Sequence, residues 1–300
     1  MKQALFALFL TLLAVNTVTA QKYNKPSPNK EKIGIVLSGG AARGFAHLGV
    51  LQALEDNGIF ADYVAGSSMG ALLGSIYASG VSPMEIYNFG RKQNYIRLYR
   101  PSLKSGGLLR STFLAKMLDA MVPQHNNFDS LEKKMHVCMS NLNKAEWEIA
   151  STGTFKDKVI ASTSIPFIFH PAIIDSFTYV DGGLLNNLPV EPLLEIIDCK
   201  HIIGVSVNPL RDKKQSELSG MNALMRTVSI IVIGTELKRR EKCHYYIEVE
   251  KAHDFGLMEF NRIEELYEVG YKAAMEYINE NPEILKIGIA NQRNIDINEL

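Results

Sequence analysis

The sequence predicts an α/β fold built on a parallel sheet, and three observations carry that expectation. Short apolar strands alternate with helical stretches near the start of the chain, as strand–helix–strand units require. Glycines stand where those strands hand over to helices. The 300 residues, 46% hydrophobic and 21% charged, have globular composition and no interior linker, which favours one large domain over two small ones. Lys+Arg and Asp+Glu both number 32, so there is no global attraction for nucleic acid.

In chain order, Lys2 gives a positive start, Ala4 to Val15 is apolar, and "VTA" precedes Gln21. This pattern is that of a secretory signal peptide over residues 1–20, too short to be a membrane span. Export, to the periplasm, the outer membrane or the medium, is therefore expected. Residues 21–32 are polar with two prolines and are expected to be a flexible linker, which leaves 33–300 as the domain. "IGIVLSG" (33–39) is a buried strand. Residues 42–58 have helical periodicity and stop at Gly58. "DYVAG" (62–66) is a second strand, and 68–80 a helix that stops at Gly80. Residues 110–122 and 129–134 are expected to be helical. Residues 135–142 and 146–152 form a strand pair, and 177–183 holds a further strand. Residues 201–208 form a buried strand and 245–250 an edge strand. Long helices are expected near 219–241 and 259–279.

Residues 66–70 read Gly-Ser-Ser-Met-Gly, a G-x-S-x-G pattern between a strand and a helix. In that context the pattern marks a tight elbow. Small Gly66 and Gly70 let strand and helix approach, and Ser68 projects above the sheet edge as a candidate nucleophile. A serine hydroxyl needs a base and a site for the developing oxyanion. "SGGAARG" (38–44), between the first strand and first helix, offers free backbone amides for an oxyanion. A phosphate cradle or a dinucleotide loop competes, but Ala41 breaks the G-x-G-x-x-G spacing. For the base, the seven histidines, 47, 125, 136, 170, 201, 244 and 253, lie in no conspicuous glycine-flanked loop. Asp181, in "YVDGGLLNNLPV", ends a strand beside Gly182 and Gly183. It is either a turn cap or a carboxylate placed to take a serine proton. The three cysteines, Cys138, Cys199 and Cys243, show no metal or redox spacing and suit small buried thiols. No metal-binding cluster is apparent.

Taken together and in order, "GGAARG", "GSSMG" and "DGG" resemble the motifs of the patatin-like phospholipases, and the resemblance runs from about Ile33 to the 270s. It implies a three-layer α/β/α sandwich with a mainly parallel central sheet and no cofactor or metal. It also implies a Ser68–Asp181 dyad without histidine. The amides of Gly39, Gly40 and Ala41 would form the oxyanion hole. Arg43 and Gly44 complete the loop motif, and Gly182 and Gly183 support the aspartate. The family often has a third glycine where this chain has Ala41, which restricts φ. The implied substrate is a phospholipid or another acyl-ester lipid, hydrolysed by acyl transfer to water.

Two rivals remain. A Ser–Asp–His triad of α/β-hydrolase type would use His244 or His253, although the elbow in that fold usually follows several strands. A non-catalytic lipid-binding protein would normally have lost Ser68, Asp181 or the glycines. Between Glu85 and Asp119 there is no acid, but Arg91, Lys92, Arg97, Arg100, Lys104, Arg110 and Lys116 alternate with Tyr87, Phe89, Tyr95 and Tyr99. This segment reads equally as a peripheral membrane contact or as a solvated face. No nucleic-acid partner is expected, and the sequence does not give the oligomeric state.

Overall fold

Among the described residues, eight strands form one sheet: β1 (Lys32–Leu37), β2 (Tyr63–Ser67), β3 (Lys134–Asn141), β4 (Glu146–Ala150), β5 (Ala172–Ile174), β6 (Phe177–Asp181), β7 (Cys199–Ser206) and β8 (Tyr245–Glu248). The computed structural model describes residues 31–96, 112–122, 126–208 and 220–293, which form one compact unit. The order is β5-β6-β3-β2-β1-β7-β8, with β4 also paired to β3. Strands β3, β2, β1, β7 and β8 run parallel, whereas β4, β5 and β6 are antiparallel additions. The mainly parallel sheet expected from the strand–helix alternation is present, with a mixed edge.

The helices are α1 (Ala46–Asp56), α2 (Met69–Ala78), α3 (Pro83–Gly90), α4 (Thr112–Met121), α5 (Lys156–Ser162), α6 (Glu191–Leu194), α7 (Gly220–Arg240), α8 (Ile263–Glu280) and α9 (Ile284–Arg293). Side chains alternate across the strands, so the sheet has two buried faces. Ile33, Ile35, Leu37, Val64, Ile203 and Val205 join the larger core with α1, α2 and α8. Val36, Tyr63, Ala65 and Ile202 join a smaller one with Leu188, Val190 and Leu193. Burial on both faces explains the near-continuous apolar runs of β1 and β7.

Residues 129–134 are not a helix. Asn127 caps a single 3-10 turn at Phe128–Ser130, Leu131 is extended, and β3 begins at Lys134. The Lys133 N–H donates to Ala78 O, which ties the stretch to the end of α2 instead of to a helical turn. Helix α3 has a signal that the sequence analysis missed. Ser82 and Glu85 form a reciprocal capping box with Pro83 at the first turn. In the basic–aromatic stretch, Tyr87 is buried against Tyr267, and Tyr95 stacks on Phe260 at 4.9 Å. Phe89 packs on the core. Arg91, Lys92 and Lys116 are exposed, whereas Arg97, Tyr99, Arg100, Lys104 and Arg110 lie outside the described residues, as do 1–30. Cys138, Cys199 and Cys243 are free thiols; the first two are buried.

Candidate active site

Strand pairing brings the serine and the aspartate together. The edge of β3 that pairs with β2 runs as far as Cys138, opposite Ser67. The same edge then takes up β6 from the other direction, with Met139 opposite Asp181. The ends of β2 and β6 thus meet head to head on adjacent rungs of β3. Ser68 follows Ser67 out of the sheet, and Asp181 is the last residue of β6. Their side chains, 113 residues apart in sequence, are hydrogen-bonded: Ser68 Oγ donates to Asp181 Oδ2 at 2.5 Å.

The elbow has the geometry anticipated from G-x-S-x-G. Ser68 sits at φ 53°, ψ −125°, a region where a side chain is strained by on the order of 1–3 kcal/mol. A Cβ added at Gly66 would lie 2.6 Å from the Gly70 carbonyl carbon, and one at Gly70 would lie 2.3 Å from Leu37 O. Only glycines allow strand and helix this close. The Ser68 N–H donates to Ser162 Oγ at 2.9 Å, which fixes the turn from the side of α5.

Asp181 is both cap and partner. Its Oδ1 accepts the Gly183 N–H at 2.8 Å, while Oδ2 faces Ser68. Burial pushes its carboxyl up to about 7 from an ordinary 3.8, against the opposing pull of the Ser68 and Gly183 bonds. A carboxylate in this range can take a proton from a nearby hydroxyl and return it near neutral pH.

The glycine loop follows β1, at the carboxyl edge where parallel sheets place their sites. The Gly39 N–H is engaged by Asn187 Oδ1 at 3.1 Å. The Gly40 and Ala41 N–H groups make no hydrogen bond among the described residues, so they are the donors open to an oxyanion. Ala41 has φ 47°, the backbone region that favours glycine. The Ala42 N–H donates to Leu257 O, and Arg43 Nε donates to Phe255 O at 2.7 Å, which anchors the loop to the 255–257 segment. Gly44 lies against Met69.

A cavity of about 620 Å³ opens over these groups. Gly39, Gly40, Ala41, Ser68 and Asp181 line it, with an apolar wall from Ile165, Ile168, Val228, Val232, Ile233, Leu257 and Met258. Among the described residues there is no group of three or more His, Cys, Asp or Glu that could hold a metal ion. No described helix is long and apolar enough to cross a membrane.

Neither triad histidine meets Asp181. His244 Nδ1 accepts the Ile202 N–H near the start of β7, at the amino end of the sheet. His253 lines the cavity, but its ring nitrogens contact Glu250 O and Asp254. His47 is buried beneath the loop with Nε2 on Ser38 O at 2.8 Å, and burial holds its imidazole down at about 4. It is therefore a neutral donor to that carbonyl. Four polar residues at the site escaped the sequence analysis. Asn187 stood inside the quoted "DGGLLNNLPV", and Asn208 lies two residues past the end of β7, the strand beside β1, where the sheet-edge rule points. Ser162 had no signal. Glu236 was visible as a lone acid in the apolar run 221–237.

The loop geometry gives a direct test. A Cβ at Gly40 would lie 2.5 Å from Val207 Cγ2. Gly40→Val is expected to lose about a hundred- to a thousandfold in kcat, the usual effect of losing one oxyanion donor. Ala41→Gly, which relieves the positive φ, should match or exceed the wild type. Steady-state hydrolysis of a soluble ester measures both. Full activity in Gly40→Val would remove this loop from the chemistry.

A family model described as patatin-like phospholipase matches residues 35–194. The chain is 27% identical to a protein named lysophospholipase NTE1 from Mycosarcoma maydis, over 82% of this chain and 15% of that protein. It is 30% identical to an uncharacterized NTE family protein of Mycobacterium tuberculosis, over 67% of this chain and 57% of the relative. The chain thus spans between about a seventh and just over half of these relatives' length. Among solved structures it is similar to VipD from Legionella pneumophila, with a TM-score of 0.46, 17% identity, and coverage of 83% of this chain and 67% of that one.

Proposed function

Because the chain belongs to the patatin-like phospholipase family, we propose that it hydrolyses acyl esters of phospholipids or lysophospholipids through an acyl-enzyme on Ser68, with Asp181 as its base. The observation that carries this is the Ser68 Oγ–Asp181 Oδ2 contact, buried at the floor of a cavity with apolar walls. Asp181 takes the Ser68 proton as Oγ attacks the ester carbonyl, and the Gly40 and Ala41 N–H groups receive the resulting oxyanion. Collapse expels the alkoxide, which takes the proton back from Asp181 and leaves an acyl-serine. Asp181 then deprotonates a water that attacks the acyl-serine; collapse breaks the acyl–Oγ bond, Ser68 Oγ takes the proton back from Asp181, and the fatty acid leaves. The apolar wall suits an acyl chain. The relatives named lysophospholipases favour a glycerophospholipid as its carrier.

A protein starting at Gln21 is expected to release fatty acid from lysophosphatidylcholine with EDTA present. A strict need for added Ca²⁺, or no release at all, would contradict this reading. Export rests on the signal-like residues 1–20, and N-terminal sequencing of the secreted fraction checks the Gln21 start. Peripheral membrane contact rests on the exposed Arg91, Lys92 and Lys116, since the nearby aromatics Tyr87, Phe89 and Tyr95 pack inward. The attraction would then be electrostatic, and sedimentation with anionic vesicles should fall as salt rises.

A further inference from the structure

Among the described residues two acids are buried, Asp181 and Glu236, and the proposed chemistry does not use Glu236. It lies on α7 at 2% exposure, one turn beyond Val232 and Ile233 of the cavity wall. A buried carboxylate without a cation is costly unless donors satisfy it. The nearest arginine on the helix, Arg239, pairs with Glu191 instead. What faces Glu236 is a set of neutral donors. Asn187 Nδ2 donates to its Oε2 at 2.8 Å, Asn208 Nδ2 lies 3.4 Å from the same oxygen, and Tyr246 OH donates to Oε1 at 3.3 Å. Ser206 completes the set.

Both asparagines also hold Gly39. Asn187 Oδ1 accepts its N–H at 3.1 Å, and Asn208 Nδ2 donates to its carbonyl at 2.5 Å. An asparagine amide has a donor end and an acceptor end. A carboxylate oxygen that only accepts draws the Nδ2 end of Asn187 toward itself, which leaves Oδ1 for the Gly39 N–H. The Gly39 carbonyl and the Gly40 N–H belong to one planar trans peptide and point in opposite directions. Fixing that carbonyl on Asn208 therefore turns the Gly40 N–H away from the asparagine pair, in a loop whose other neighbour across the cavity floor is Ser68.

We propose that Glu236 is a positioning residue for the ester-hydrolysing site, acting through Asn187 and Asn208 to aim the Gly40 N–H at the oxyanion. Burial pushes its carboxyl up to about 7, and in either protonation state Oε2 remains able to accept. The inference rests on the function proposed above. It predicts that the acceptor, not the charge, is what matters.

The test uses the mature protein and a soluble short-chain p-nitrophenyl ester, with kcat, KM and Tm measured for each variant. Glu236→Leu is expected to lower kcat about a hundredfold, toward the loss of one oxyanion donor, with KM little changed. Glu236→Gln keeps an acceptor for Asn187 and should stay within about tenfold of wild type. Asn187→Asp, assayed at about pH 9, above the value to which burial raises Glu236, sets an ionised acceptor against an acceptor and should lose about a hundredfold. The double variant Asn187→Asp/Glu236→Gln restores a donor–acceptor pair and should recover at least about tenfold over Asn187→Asp alone. That recovery is a readout a merely structural role would not give, and it decides the matter if Glu236→Leu does not fold. A folded Glu236→Leu with wild-type kcat, or a double variant no better than Asn187→Asp, overturns the positioning role alone. Wild-type protein without ester hydrolysis that Ser68→Ala removes would instead overturn the function on which it rests.

Discussion

Ser68→Ala is expected to reduce ester hydrolysis to background, because removing the nucleophile of a serine hydrolase costs about a millionfold. The substitution keeps the Cβ and the backbone of the elbow, so the fold should persist. Ser67→Ala is the matched control. Ser67 Oγ points the other way, into a buried bond with Asn186 O at 3.1 Å, and its loss should leave substantial activity. Assay of both variants with the same soluble ester separates the neighbours. An equal loss in both would mean that Ser68 is not the nucleophile.

Asp181→Asn is expected to lower kcat/KM by about two to four orders of magnitude, the range for loss of a general base. It should also make the protein more stable at high pH. The folded-state carboxyl lies at about 7, above its ordinary 3.8. Folding therefore holds a proton that the unfolded chain has released between about pH 4 and 7. The stability this group contributes is fully present below the unfolded value and is lost as the pH rises through 7. The amide escapes that loss, which is on the order of a few kcal/mol at about 1.4 kcal/mol per pKa unit. The Tm of Asp181→Asn should exceed that of the wild type at pH 8, and the gap should narrow toward pH 4. Thermal melts across that range check the sign. A variant less stable than wild type at pH 8 would mean that the carboxylate is held by attraction and is not penalised by burial. Glu236, also raised by burial to about 7, adds pH dependence of the same sign to both proteins and does not alter the gap.

The candidate residues Ser68 and Asp181 stood out in the sequence because their signals are local. A glycine pattern between a strand and a helix marks Ser68, and a strand ending in Asp-Gly-Gly marks Asp181. That the two touch was not local information. It follows from β3, whose one edge takes β2 and then β6, and no residue in either motif encodes that pairing by itself. The same limit applies to the loop. The glycines at 39 and 40 announced backbone amides, but Gly39 is held by Asn187 and Asn208, 148 and 169 residues away. Of the expected trio, the Gly39 N–H is engaged, while those of Gly40 and Ala41 make no hydrogen bond among the described residues. The helix expected at 129–134 failed for a related reason. Leu131 to Lys134 have good helical propensity, but the bond from Lys133 to the end of α2 and the pairing of Lys134 with β2 decide their backbone. The aromatic residues of the basic segment read equally as membrane-facing or as part of a solvated face, yet Tyr87 packs on Tyr267 of α8, Tyr95 on Phe260 and Phe89 on the core.

The Ser68–Asp181 mechanism fixes both the identity and the pH response of the reactive serine. The mature protein can be treated with a fluorophosphonate at a series of pH values, the rate followed by intact mass and the adduct located by peptide mass. A single adduct on Ser68 is predicted, forming about tenfold faster per pH unit up to a plateau above about 7, where Asp181 becomes ionised. An adduct on another residue, no adduct, or a rate on Ser68 that does not change across pH 7 would contradict the Ser68–Asp181 mechanism.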